Sequence, residues 1–277
     1  MKVVKVFNNN VVATLTKDGK EAIVTGTGVG FRKMTGDEID ASKIQKKYVI
    51  EKGKQKKVYQ LMERTPYEYV ILAEEILDKV RKELYEDVKD SGLIGLTDHI
   101  AFAINRIKNE VQLPNLVLNE TKWLYPREYE IAEWAVQHIY KKTGYQLPED
   151  EAGYITIHII NAISSRPDED ALEIVEFTKH ILAIIQKEMG VSICNDGLDY
   201  SRLLTHIKFL AKRIMANDHS RLPNAETIYQ ELVRENPKVK RCISRINTYL
   251  RVEYHITMSQ DEMVYLSIHI LRIMKTE

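Results

Sequence analysis

The residues of this sequence best suited to chemistry are histidines that recur in matched pairs. GLTDHIAFAINRI (95–107) and RLLTHIKFLAKRI (202–214) agree at six of thirteen positions, aligning His99 with His206, Phe102 with Phe209 and Arg106 with Arg213. EDEAGYITIHI (149–159) and QDEMVYLSIHI (260–270) agree at six of eleven, aligning His158 with His269, Tyr154 with Tyr265 and Glu151 with Glu262. Neutral imidazole, with an ordinary pKa near 6.5, is a nucleophile at neutral pH. Histidines kept twice at equivalent positions therefore point to phosphoryl acceptance at His99, His158, His206 and His269. A carboxylate beside each ring would orient it, and Asp98, or Asp150 with Tyr154 ahead of His158, is placed to do so. With His99 and His206 read near the start of their helices, unpaired N–H groups and the positive dipole end would favour a phosphate there. Taking phosphoserine as the standard, the product carries about −1.5 to −2 charges, enough to decide whether two faces associate.

Other readings of the histidines are weaker. A single histidine on an apolar helix is ordinarily a hydrogen-bonded core residue, but duplication of two pairs argues against that here. His138, His180, His219 and His255 have no such partners. Zinc ligands cluster in sequence, whereas each pair here is separated by 59 or 63 residues with no cysteine nearby. No metal or cofactor is expected. The chain has no Gly-x-Ser-x-Gly elbow and no cysteine in a catalytic context, so an enzyme is not expected either. Cys194 and Cys242 read as reduced structural thiols. With no run of about 18 apolar residues, and no signal-peptide pattern in MKVVKVFNNN, the expected location is cytoplasmic with no membrane insertion.

The elements that must position the histidines are helical. Thr65-Pro66-Tyr67-Glu68 reads as a capping box opening an amphipathic helix. Further helices read from Pro126 to a stop at Gly144, Glu149 to Ala162, Asp168 to about Gly190, Tyr200 to Met215, Pro237 to Glu253 and Gln260 to Lys275. The repeat offset is 107 residues at the first motif and 111 at the second, so two homologous helical domains of about 105 residues stand in tandem, divided near SSRPDED (164–170).

The N-terminal segment has a different period. Lys2 to Phe7 and Val11 to Thr16 are β-branched runs joined by three asparagines. Asp18-Gly19 then signals a hairpin into EAIVT (21–25), and a last strand covers Gln45 to Ile50. Residues 1–57 hold 13 Lys and Arg against six Asp and Glu, a net of +7, although the whole chain is neutral. A solvated lysine tail, KGKQKK (52–57), explains part of that excess, but residues 1–51 still carry +3. A basic sheet with asparagines, glycines and a phenylalanine is suited to a distorted RNA stem, where asparagine reads base edges, lysine holds phosphates and Phe31 stacks on an unpaired base. GTGVGF (26–31) resembles half a dinucleotide fingerprint, but lacks the third glycine and a following helix. The fold class expected is multidomain: a small all-β antiparallel four-stranded N-terminal domain followed by two tandem all-α helical-bundle domains.

KVFNNNV (5–11), GTGVGFRKMTGD (26–37) and LTDHI (96–100) with DEAGYITIHI (150–159), with the second copies of the last two, resemble the BglG/SacY-type transcriptional antiterminators, and within them the β-glucoside regulators. The resemblance covers essentially the whole chain. It implies a co-antiterminator RNA-binding domain at 1–57 and phosphotransferase-system (PTS) regulation domains (PRDs) at 65–167 and 168–277. It further implies a homodimer that binds an imperfect RNA hairpin in the nascent leader mRNA, blocks an overlapping terminator and so induces a sugar-utilisation operon. RNA contacts would fall on Lys5, Asn8, Asn10, Thr25, Gly26 and Phe31, while Thr27 stands where relatives commonly carry Arg or Lys. The four matched histidines would be phosphorylation sites. In this family the sugar-specific permease (EII) modifies the first regulation domain to inactivate, and the phosphocarrier HPr modifies the second to activate. A histidine phosphocarrier and a DNA-binding activator with the same regulatory domains are the alternatives, the second opposed by the lack of an N-terminal recognition helix.

Overall fold

The structure, a computed structural model, describes residues 1–164, 170–190, 198–215 and 225–274. Most of the expected divider at 164–170, together with Cys194 and His219, lies outside the described residues.

The chain opens with β1 (Val3–Asn8), β2 (Val11–Leu15), β3 (Glu21–Thr25) and β4 (Lys46–Val49), hydrogen-bonded in that order as an antiparallel meander. Gly19 takes φ +73 in the β2–β3 hairpin, the left-handed region that the Asp-Gly pair signals. Pairing places Val12 and Val24 on one face, where they pack with Val3, Val29 and Ile39. Ala13, Ile23, Tyr48 and Thr25 lie on the other. That second face is also fully buried, because it meets the helices that follow.

The helices are α1 (Gln55–Arg64), α2 (Tyr67–Leu84), α3 (Asp90–Lys108), α4 (Leu118–Leu124), α5 (Pro126–Thr143), α6 (Glu149–Ile163), α7 (Ala171–Met189), α8 (Leu198–Met215), α9 (Ala225–Glu235), α10 (Pro237–Glu253) and α11 (Gln260–Met274). The multidomain expectation of a four-stranded sheet followed by helical bundles is met. Several details differ. The end of the lysine tail, residues 55–57, opens α1, which buries Val58, Leu61 and Met62 at helical spacing. Thr65 does not cap α2. Its backbone N–H donates to Leu61 O at the end of α1, its hydroxyl has no partner among the described residues, and Pro66 occupies the N-cap. Proline disfavours helical geometry in the residue before it, so α1 ends there and α2 starts at once. α3 begins at Asp90, five residues before the repeated motif. α4 and α9 are additional short helices.

The chain divides into two compact units, Met1–Leu116 with Arg127–Ser165, and Val117–Pro126 with Arg166–Glu277. α4 therefore belongs by packing to the second unit, where Trp123 sets its ring edge-on to Tyr200, centroids 5.3 Å apart, and Lys208 Nζ donates to Leu124 O at 3.0 Å. No described helix is long and apolar enough to cross a membrane.

Candidate functional site

In the first unit α3 and α6 pack together and bring His99 against His158, ring centroids 4.7 Å apart at 40°. In the second unit α8 and α11 do the same for His206 and His269, centroids 3.9 Å apart at 30°. Tyr154 lies 6.0 Å from the His99 ring and Tyr265 6.0 Å from the His206 ring. Residues distant in sequence thus form the same three-ring arrangement twice.

Helix position corrects the expectation about the dipole. His99 is ten residues into α3 and His206 is the ninth described residue of α8. Both lie in the third turn, where every backbone N–H is already paired within the helix, so neither sits at a helix-end anion site. The orienting carboxylates differ too. Asp98 pairs with Arg64 at 3.0 Å, and Asp150 accepts from the backbone N–H of Asn115 at 2.7 Å. The Tyr154 hydroxyl donates to Pro114 O at 3.1 Å.

The carboxylate that reaches a ring is Glu151, which is 2% exposed. Its Oε2 is 3.1 Å from His99 Nε2, and its Oε1 accepts from Arg106 at 2.7 Å. The His99 approach is imperfectly aligned, but neither atom has another partner among the described residues, so each is the other's available partner. Glu151 was visible in sequence as the residue aligned with Glu262. What sequence lacked was the contact across 52 positions that shows what it faces.

Burial sets the charge state of the inner rings. Burial first, then the adjacent His99, pushes His158 down to about 3, against the pull of Glu151. Burial, His206, Arg272 and Arg202 push His269 down to about 4, opposed by Asp199. Burial, Arg213 and Arg272 lower His206 as well. Burial pushes the Glu151 carboxyl upward, but His99 and Arg106 together bring it below the ordinary carboxylate value. His158, His206 and His269 are therefore neutral near pH 7, with a lone pair on one ring nitrogen each, as phosphoryl acceptance requires.

On the sheet, Asn8 and Asn10 form a corner. Asn8 Oδ1 accepts from Asn10 N at 2.8 Å, Asn10 Oδ1 from Gly28 N at 2.8 Å, and Asn10 O from Gly26 N at 3.0 Å. Their side-chain oxygens hold the turn. Gly26 runs so close to the segment leading into β4 that an added Cβ would lie 1.9 Å from Lys43 O. Phe31 is half exposed, with the Arg32 guanidinium 5.2 Å above its ring. GTGVGF is a series of turns, with no helix following it.

Lys5 and Thr25 are placed differently. Both lie on the sheet face covered by helices. The Thr25 hydroxyl donates to Glu74 Oε1 of α2 at 2.7 Å, Lys5 pairs with Glu63 of α1, and Lys46 pairs with Asp78 of α2 at 2.6 Å. Burial raises Glu74 above the usual carboxylate value, against the stabilising contacts from Thr25 and Lys46. Three carboxylates thus occupy part of the surface that a polyanion would need.

Comparison with known proteins gives a consistent picture. The CAT RNA binding domain family matches residues 1–57, and the PRD domain family matches residues 74–162 and 179–273. The chain is 35% identical over 277 residues to transcription antiterminator LicT of Bacillus subtilis, covering 99% of both chains. It is 31% identical to the beta-glucoside operon antiterminator of Dickeya chrysanthemi, covering 99% of this chain and 96% of that one. The crystal structure of GlcT CAT-PRDI superposes with a TM-score of 0.52 at 32% identity, covering 59% of this chain and 98% of that one.

Proposed function

Because the chain belongs to the BglG/SacY-type transcriptional antiterminators, we propose that it binds an imperfect hairpin in a nascent leader mRNA as a homodimer. Binding prevents an overlapping terminator from forming and lets transcription enter a sugar-utilisation operon. The limits of its parts are 1–57 for the RNA-binding domain, 65–167 for the first PRD and 168–277 for the second. RNA contacts fall on Lys5, Asn8, Asn10, Thr25, Gly26 and Phe31. Phe31 stacks on an unpaired base, the asparagine amides address base edges, and the basic sheet holds phosphates. The protein acts in the cytoplasm, without catalysis of its own.

Control is by phosphorylation of His99, His158, His206 and His269 from PTS donors. A sugar-specific permease acts on the first pair and the carrier HPr on the second. The observation that carries this reading is the duplicated ring pair, His99 on His158 and His206 on His269. Each sets two histidine rings against each other, where two added phosphates would repel strongly and drive a rearrangement.

The test is binding of the full chain to an imperfect RNA hairpin, with a DNA duplex of matching sequence as competitor and salt varied. A steep salt dependence, a preference for RNA and its loss in Phe31→Ala are expected. Equal binding of RNA and DNA, or RNA binding untouched by Phe31→Ala, overturns the proposal.

A further inference from the structure

The two histidine sites are built from the same residues yet wired differently, and the difference begins at a position outside both. In each site the glutamate one turn into the second helix gives Oε1 to an arginine. Glu151 Oε1 accepts from Arg106 at 2.7 Å and Glu262 Oε1 from Arg213 at 3.4 Å. The second oxygen has different destinations. Glu262 Oε2 accepts from the backbone N–H of Ser259 at 2.8 Å, while Glu262 N donates to Ser259 Oγ at 3.3 Å. This is a reciprocal capping box, satisfying two N–H groups at the start of α11.

The residue aligned with Ser259 at the same offset is Pro148, the N-cap of α6. Proline has neither the N–H that a capping glutamate accepts from nor a hydroxyl to return a bond. Glu151 Oε2 therefore has no cap to make, and it lies 3.1 Å from His99 Nε2 instead. Among the described residues no carboxylate pairs with His206, whose charged neighbours are Arg213 and Arg272.

We propose that Pro148 and Ser259 make the two repeats unlike acceptors: proline frees Glu151 to hold His99 through Nε2, leaving Nδ1 as the nucleophile, whereas serine captures Glu262 and leaves His206 without that constraint. Glu151 is a positioning residue, acting through the imidazole that takes the phosphate. Transfer then balances simply. The His99 Nδ1 lone pair attacks phosphorus, the N–P bond of the donor imidazole breaks with its electron pair leaving on the donor nitrogen, and the proton stays on His99 Nε2. The phosphorylated ring is cationic, and Glu151 faces that charge. In the second repeat no carboxylate among the described residues faces the ring, so phosphorylated His206 more readily loses its ring proton. Cationic phosphohistidine is the better phosphoryl donor, so the first site returns its phosphate more readily than the second.

The inference rests on the proposed phosphoacceptor role, but its first test does not. Ring nitrogen shifts of the unphosphorylated, 15N-histidine-labelled full chain report the tautomer at each site. His99 is expected as the Nε2–H form, with Pro148→Ser moving it about tenfold towards the mixed population of an unconstrained imidazole. Pro148 is exposed, so the substitution asks little of the fold. Glu151→Gln, whose amide oxygen can still accept, should keep the tautomer while removing the charge. Chemical phosphorylation of the same chains with phosphoramidate then reads the product: Nδ1-phosphohistidine at His99, lost in favour of the Nε2 isomer in Pro148→Ser. Identical ring shifts at His99 and His206, or His99 shifts unmoved by Pro148→Ser, overturn the proposal. If phosphoramidate labels His99 as expected but the PTS carrier labels none of the four histidines, the wiring stands and the phosphoacceptor reading falls.

Discussion

The two helical repeats keep the same three rings and the same glutamate–arginine pair, but bury them to different ends. In the first, both glutamate oxygens point inward, to Arg106 and His99. In the second, one oxygen closes a helix terminus at Ser259. The first repeat also holds the RNA-binding sheet, through Glu63, Glu74 and Asp78, which pair with Lys5, Thr25 and Lys46. Duplication preserved one histidine ring set against another in each repeat. It left free what regulation can vary, namely the charge around each pair and what each pair is attached to.

The sharpest way to break the comparison is to delete one pair at a time. His206→Ala with His269→Ala is expected to abolish carrier-dependent activation of a reporter placed behind a terminator. His99→Ala with His158→Ala is expected to remove inactivation by the permease. If both double variants respond alike, the repeats are not opposed controls.

Stability sharpens it next. Arg106→Ala strands a glutamate that is 2% exposed, and breaking such a buried pair costs about 3–5 kcal/mol. Arg213→Ala leaves Glu262 its capping partner, at a longer original distance of 3.4 Å, and should cost about 1–2 kcal/mol. Urea midpoints measure both, and equal losses would mean that the capping box contributes nothing.

Acid tests what the repeats share. Burial keeps His158 and His269 neutral in the folded chain, while the unfolded chain takes up protons near 6.5. As pH falls below 6.5 the unfolded state binds more protons, and stability drops by up to about 1.4 kcal/mol per pH unit for each ring. The loss continues towards about 3 for His158 and about 4 for His269. Between pH 7.5 and 5.5, before most carboxylates titrate, His158→Gln and His269→Gln should each flatten the decline in urea midpoint.

The smallest effect concerns the attachment. Glu63→Gln with Glu74→Gln removes negative charge from the face carrying Lys5 and Thr25. Affinity of the full chain for the RNA hairpin at fixed salt is expected to rise a few-fold. The aligned second repeat has no sheet to hold, so loss of acidic residues on α7 should leave affinity unchanged.

Much of this was legible in the sequence. Period-2 runs and Asp18-Gly19 specify the meander, helical spacing specifies α5, α6, α8, α10 and α11, and the repeat picks out the four histidines. These are local signals, set by side-chain direction and turn chemistry within a few residues. α1 was legible too, in the spacing of Val58, Leu61 and Met62, but its lysines dominated the composition there. The start of α3 at Asp90 escaped because the repeat marks similarity, and similarity begins only where the two copies agree. Contacts between distant positions were decided by the tertiary structure alone: His99 with Glu151, Lys5 with Glu63, Thr25 with Glu74. A carboxylate has two oxygens and a choice of donors. Which donor it meets depends on how helices pack and on whether a residue three positions earlier has an N–H to offer, and no pattern within either strand or helix records that choice.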